Sequence, residues 1–244
     1  MMSSDRHFDY TFENYIVGES NHDAYELISS AVQLPAIRNF PIYIYGKSGL
    51  GKSHLLQAAA GYAIGKNSKT RVTYTTMEVF CADVISMLKH HTVATFKLDY
   101  DFVDLLIIDD VQFLEDKPTF QEMFLKTFAY MEGRNKRIIL ACNKSAADLS
   151  IENEVLAEKL ESCLAAEIVK PDYDMRVEIL MSKALSHNLD IEDEEIKKVL
   201  RMIAKYVSDD MGKMAGALNR LVSMSRLLKS EIDMELAEKI LLEM

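Results

Sequence analysis

Five short β-rich runs recur through the first two thirds of the chain with longer helical patterns between them, and this alternation restricts the fold more than any other feature. The runs are 42–46 (IYIYG), 72–76 (VTYTT), 104–110 (DLLIIDD), 137–143 (RIILACN) and 166–170 (AEIVK). Leu105-Leu-Ile-Ile108 is apolar without alternation, the mark of a strand covered by helices on both faces of a parallel sheet. Residues 52–64, 77–89 and 120–131 have the spacing and length of helices. Strands and helices in turn predict a doubly wound α/β fold.

After Pro171 the pattern becomes helical throughout. Residues 173–187, 193–206, 213–227 and 234–242 carry apolar side chains three or four apart, with a turn at Asn188-Leu-Asp190 between the first two. The expected organisation is an α/β domain over 8–171 and an all-helical domain over 172–244. No Pro/Gly/Ser linker separates them, which predicts close packing with a hinge near Lys170 and Pro171.

With 49% hydrophobic and 27% charged residues, the 244-residue chain has the composition of a folded globular protein. Its 38 acidic and 28 basic side chains give a net charge of -10, which opposes general affinity for nucleic acid, since such binding depends on Lys and Arg releasing phosphate counterions. Any DNA contact has to be local. Between Asp148 and Glu195 there are fourteen acids and only four bases, Lys159, Lys170, Arg176 and Lys183. The three dispersed cysteines, Cys81, Cys142 and Cys163, read as reduced core thiols. The N-terminus lacks the apolar segment of a signal peptide and no run of about 18 apolar residues occurs, so a cytoplasmic protein without a membrane span is expected.

The segment Gly46-Lys47-Ser48-Gly49-Leu50-Gly51-Lys52-Ser53 fits G-x-x-x-x-G-K-[ST] and lies between an expected strand and an expected helix. Its glycines let the backbone curl so that successive N–H groups and the helix N-terminus face phosphates. Lys52 is then the ligand of the β- and γ-phosphates and Ser53 a magnesium ligand. A P-loop also needs a carboxylate at the end of a nearby strand. Leu105-Leu-Ile-Ile-Asp109-Asp110 supplies Asp109 for the metal and Asp110 to orient or deprotonate the attacking water, although two acids at a strand end also serve as solvated caps. The next run ends at Asn143, an amide able to hold the lytic water if its strand is inserted between the other two. A plain strand-ending turn would account for Asn143 equally.

These pieces resemble the AAA+ ATPases, and within them the DnaA family of bacterial replication initiators. The matching segments are Tyr10-Thr-Phe-Glu-Asn-Tyr-Ile-Val-Gly18, the stretch from Pro41 through the P-loop and His54 to Leu56, Ile107-Ile-Asp-Asp-Val-Gln-Phe-Leu114, and Gly216-Ala-Leu-Asn-Arg-Leu221. The resemblance implies an AAA+ core with a five-stranded parallel sheet, a helical lid after Pro171, bound ATP or ADP with Mg2+, and Ile16, Val17 and Gly18 beside the adenine. It also adds His54 to the nucleotide-binding segment. Packing alone would explain Ile16 and Val17 as well.

The departures from the family pattern carry as much weight. An arginine finger of the form R-L-x-S-R-F is matched here by Lys159-Leu-Glu-Ser-Cys163-Leu164, which puts Cys163 at the finger position in a segment a few residues short. A thiol cannot stabilise phosphoryl charge as a guanidinium does. The lid arginine is matched by Gly212, with Lys213 alongside as a partial substitute or a solvated residue. Weak or partner-dependent hydrolysis is therefore expected. The chain also shows neither the duplex-reading nor the helicase-contacting domain of the family, so no sequence-specific duplex binding is expected by that route. Lys89, His90, His91 and Lys97 form a modest basic cluster able at most to support weak single-stranded DNA binding. The resemblance implies a role in initiation of chromosomal replication or its regulation, with a full-length initiator, the sliding clamp or the helicase as partner. A helicase loader of the DnaC type is the alternative reading.

Overall fold

In a computed structural model the protein is described over residues 10–33, 40–90, 102–208 and 210–242. It divides into two compact units. One comprises Met1–Tyr15, Asn21–Lys47 and Lys52–Ile168, and the other comprises Ile16–Ser20, Ser48–Gly51 and Val169–Met244. His91 and Lys97 of the basic cluster lie outside the described residues, as do the side chains of Lys89 and His90.

The first unit is built on a five-stranded parallel sheet: β1 Ile42–Tyr45, β2 Val72–Thr76, β3 Leu105–Asp109, β4 Arg137–Cys142 and β5 Leu164–Glu167. The spatial order is β2-β3-β4-β1-β5. Strand β4 is inserted between β3 and β1, the condition on which the reading of Asn143 rested, with Ile139 opposite both Ile42 and Ile107. The Leu105–Asp109 strand is buried at every position, which is why it shows no alternation. Helices α1 His22–Gln33 and α2 Lys52–Lys66 pack together on the sheet. Helices α3 Met77–His90, α4 Pro118–Glu132 and α5 Glu154–Glu161 complete the unit. Ala58, Ala59, Ala60 and Ala63 let α2 approach closely while Leu55 and Leu56 fill the remaining volume, all of them buried. A second cluster joins Tyr43, Phe80, Leu106, Ile108, Phe124, Phe128 and Leu140.

Two parts of the sequence reading need correction. The fifth strand is Leu164–Glu167, not 166–170: Leu164 pairs opposite Ile42, and the Ile168 N–H closes the ladder on the Tyr45 carbonyl at 2.7 Å. Three of its four residues are exposed, so edge pairing, not hydrophobicity, sets its ends. Helices α1 and α5 were also not anticipated. In α1 the buried face is Ala24, Ile28, Ser29, Ala31 and Val32, where small and polar residues dilute the apolar signal.

The second unit holds α6 Tyr173–Ser186, α7 Glu194–Tyr206, α8 Met211–Leu228 and α9 Met234–Leu242. Their core includes Leu180, Val199, Leu200, Ile203, Leu218, Leu221 and Ile240. In α7 the buried residues Ile196, Val199, Leu200, Ile203 and Ala204 recur at helical spacing. Several acids of this region are helix caps: Asp172 accepts from Met175 N at 2.8 Å, Asp193 from Glu195 N at 2.7 Å and Asp210 from Lys213 N at 3.0 Å. Each such cap contributes about 1 kcal/mol. Asn188 adopts a positive φ of 61° at the expected turn between α6 and α7. None of the described helices is long and apolar enough to cross a membrane.

Gln121, fully buried on α4, joins three elements of the first unit. Its amide donates to Leu114 O at 3.0 Å and its carbonyl accepts from Glu152 N at 3.0 Å and Asn153 N at 3.1 Å, at the entry to α5. Gln121→Met keeps the volume but strands these groups, and should lower unfolding free energy by about 2–3 kcal/mol. Urea titration checks this, with a midpoint shift at unchanged m-value as the expected result.

Candidate nucleotide site

The chain leaves β1 at Tyr45, and Gly46 N–H donates to Cys142 O at 3.2 Å, so the loop starts against β4. At Gly46, with φ +153°, a Cβ would meet Ile168 O at 2.1 Å; no other residue fits there. Gly51, with φ 93°, makes the final left-handed turn before α2. Lys52 opens α2 and is only 6% exposed; its ammonium donates to Gly46 O and to Lys47 O at 2.9 Å, so it lies inside the loop. Burial lowers its pKa, and the carboxylates of Asp109 and Asp110 oppose that shift. The side chains of Lys47 and Ser48 are exposed, whereas Leu50 is buried.

Ser53, one residue into α2, donates its hydroxyl to Asp109 Oδ2 at 2.6 Å. Asp109 is the last residue of β3, 2% exposed, and its other oxygen accepts from Asp110 N at 2.9 Å. Burial raises its pKa, against the lowering effect of the Ser53 hydrogen bond. The Tyr74 hydroxyl stands 3.4 Å from Asp109 Oδ2, and burial with the nearby carboxylate pushes it up to about 12. A hydroxyl and a carboxylate already in contact beside a phosphate-type loop form a hard oxygen donor pair suited to Mg2+, which keeps its remaining positions for water and phosphate.

Asp110 is exposed and sits in the left-handed region, φ 57° and ψ 47°, where a non-glycine residue is strained. Its Oδ1 accepts from Gln112 Nε2 at 2.8 Å, and Gln112 Oε1 accepts from Asn143 N at 3.2 Å. The fold thus brings Asp109, Asp110 and Asn143 to the carboxyl ends of adjacent strands beside the loop that follows β1. Tyr74 and Gln112 were not singled out from the sequence. Gln112 lies inside the matched stretch Ile107–Leu114, but only the sheet register shows that it spans β3 and β4.

His54 has a different setting. Its Nε2 lies 2.8 Å from Asn14 Oδ1 and 3.2 Å from Thr11 O, and its ring packs 4.5 Å from Tyr10 and edge-on to Tyr15 at 5.0 Å. The side chain therefore contacts the entry segment. Cys163 is also placed unexpectedly. It is 7% exposed, contacts Lys159 O at 3.3 Å, and is pushed up to about 12 by burial. Only Ser162 and Cys163 separate α5 from β5, and Cys163 packs into the core. Cys81 and Cys142 are buried as well.

In the second unit, Met211 N–H donates to Gly49 O at 2.9 Å, and the Asp210 carboxylate lies where a Cβ on Gly49, φ +78°, would stand 2.3 Å from Oδ1. Lys213, in the first turn of α8, is exposed. Ile16 is half-buried and Val17 is 39% exposed; Gly18 lies against Met175, whose sulfur a Cβ there would meet at 2.9 Å.

A β2-β3-β4-β1-β5 parallel sheet with a phosphate loop after β1, carboxylates closing β3 and a polar residue closing β4, together with a helical unit, defines an AAA+ P-loop nucleotide-binding protein. The family model of the bacterial DnaA ATPase domain matches residues 7–167. The chromosomal replication initiator protein DnaA of Thermoanaerobacter sp. (strain X514) is 36% identical over 234 residues, 96% of this chain and 52% of that protein. Domain III of the Thermotoga maritima replication initiation protein DnaA superposes with a TM-score of 0.90 at 31% identity, covering 96% of both chains. A replication initiator DnaA bound to AMPPCP and single-stranded DNA gives a TM-score of 0.76 at 32% identity, over 87% of this chain and 64% of that one. The chain belongs to the bacterial DnaA ATPase domain family, and spans about half the length of the full initiator it matches.

A raised Asp109 pKa means that folding disfavours its ionised form; this penalty is absent well below the ordinary carboxylate pKa of about 4 and is fully felt once pH exceeds the raised value. Asp109→Asn should therefore raise nucleotide-free stability near pH 7 by about 1 kcal/mol, with the gain disappearing at acid pH. Thermal melts of both proteins across pH, without nucleotide or magnesium, check the sign.

Proposed function

We propose that this protein binds ATP or ADP with Mg2+ and acts in initiation of chromosomal replication or its regulation, through protein partners and with weak or partner-dependent hydrolysis. In this reading residues 8–171 form the nucleotide-binding domain and 172–244 its lid. The single observation that carries it is the combination of a complete Lys52, Ser53 and Asp109 set with a buried Cys163 at the finger position.

The backbone N–H groups of Gly46–Ser53 hold the phosphates, and Lys52, already turned into the loop, adds its charge at the β- and γ-positions. Ser53 and Asp109 would hold Mg2+, which supplies charge neutralisation on the phosphate oxygens. Asp110 orients the attacking water and Asn143 contributes the polar contact from the next strand. Ile16 and Val17 border the base, and Lys213 offers a point charge in place of the lid arginine.

Such a subunit offers its own bound nucleotide to a partner's finger and returns none, since the Cys163 thiol is neutral and buried. A finger is worth about 10³–10⁵ in rate, so the isolated protein turns over slowly. A full-length initiator is the partner this asymmetry fits, with the clamp or helicase as other replication partners and single-stranded DNA as a weak ligand. The DnaA relative bound to AMPPCP and single-stranded DNA supports the nucleotide and the nucleic acid.

Affinity and turnover measured for wild type, Lys52→Ala and Asp110→Asn test the reading. Lys52→Ala should abolish ATP binding, whereas Asp110→Asn should barely change an already slow rate. Brisk turnover by the isolated protein, abolished by Asp110→Asn, would refute the loss of the finger as the controlling feature. Mixing with a full-length initiator should change filament length or ATP turnover.

A further inference from the structure

Ser48–Gly51 of the phosphate loop and the first turn of α8 belong to the same compact unit. There the Asp210 carboxylate is seated between two glycines. A Cβ on Gly49 would stand 2.3 Å from its Oδ1 and 3.1 Å from its Oδ2, and one on Gly212 would stand 3.0 Å from Oδ1. Only a residue without a side chain leaves this seat open at the loop apex, where φ is +78°. A main-chain bond fixes the approach, Met211 N–H donating to Gly49 O at 2.9 Å. From its own helix the carboxylate is oriented by Lys213 N, which donates to Oδ1 at 3.0 Å.

Capping accounts for only part of this arrangement. An N-cap needs a single acceptor oxygen, and asparagine, serine and aspartate supply it about equally well. What aspartate adds is a full negative charge, held against a loop whose sequence is built to gather phosphates. The N-terminus of α8 would by itself attract an anion; the carboxylate satisfies that end and reverses the charge it presents. Glycine at position 212, where the family resemblance leads to an arginine, adds no cation and leaves room for Oδ1. Lys213 does not neutralise the carboxylate: its backbone N–H is the group that meets Asp210, and its side chain is exposed.

We propose that Asp210 is a specificity residue of the nucleotide site, selecting by phosphate charge: its carboxylate disfavours a nucleoside triphosphate relative to the diphosphate. This role rests on the nucleotide-binding function proposed above and adds to it a residue and a direction. Each further phosphate brings more negative charge toward the loop, and repulsion from a fixed carboxylate grows with it. The carboxylate cannot swing aside without giving up both its cap bond and its seat between Gly49 and Gly212. Asparagine in its place would keep the cap and remove the repulsion.

Isothermal titration calorimetry of the whole chain with AMP, ADP and ATP, at fixed Mg2+ and first at about 50 mM salt, tests this. The variants are Asp210→Asn and Asp210→Ser, which keep a capping oxygen and lose the charge. Both should raise the ratio of ATP to ADP affinity about threefold or more, change AMP affinity least, and leave the melting temperature nearly unchanged. The effect should shrink as salt is raised, because screening weakens repulsion between charges and leaves a steric obstacle as it was. Asp233→Asn makes the same substitution at the cap of α9, beyond the far end of α8, and should leave the ratio unchanged. The proposal fails if either Asp210 variant keeps the wild-type ratio, if Asp233→Asn raises it equally, or if the change is independent of salt. Equal gains for all three nucleotides would make Asp210 a plain obstruction and overturn selection by charge. Binding of all three in unaltered proportion removes this role alone, whereas no binding of any nucleotide by wild type or variants overturns the nucleotide-binding function and this role with it.

Discussion

Strand β4 pairs in parallel with both β1 and β3, and the chemistry of the first unit depends on that insertion. It separates the loop after β1 from the carboxylates closing β3 by one strand width, room for a lysine and a hydroxyl from α2 between them. Ser53 then reaches Asp109 and Lys52 turns back onto the loop carbonyls. The same insertion puts Asn143 beside Gln112, so the ends of β3 and β4 are held together by one side-chain amide. A different strand order would leave each of these residues in place along the chain and bring none of them together.

Several features of the site oppose stability. Asp109 is buried although its charged form is disfavoured there, Lys52 gives up solvation, and Asp110 occupies a strained backbone region. The surrounding unit offsets these costs with a fully covered β3, the alanine face of α2 and the aromatic cluster around Phe80, Phe124 and Phe128. Poorly solvated opposite charges facing one loop are what a site for an anionic ligand with a divalent cation needs, because the ligand completes interactions that the protein alone leaves unbalanced.

Of the two residues connecting α5 and β5, Ser162 is exposed while the Cys163 thiol settles among the residues packed on β1 and α4.

By itself the sequence determined the phosphate-loop motif between strand and helix, the pair of carboxylates at the end of a buried strand, the α/β class with its helical companion, and the burial of the cysteines. These are written in short spacings: glycines that need positive φ, a lysine beside a hydroxyl, an unbroken apolar run. The insertion of β4 was only a condition in the sequence reading of Asn143, and the strand order meets it. Tertiary structure alone decided the ends of β5, because an exposed edge strand is defined by its partner and has little apolar signal of its own. It also decided that His54 serves the entry segment, that Cys163 faces inward, and that Gln112 and Tyr74 join the site. In each case the deciding quantity is which groups meet across the sheet, and strand order and register set that where local spacing cannot.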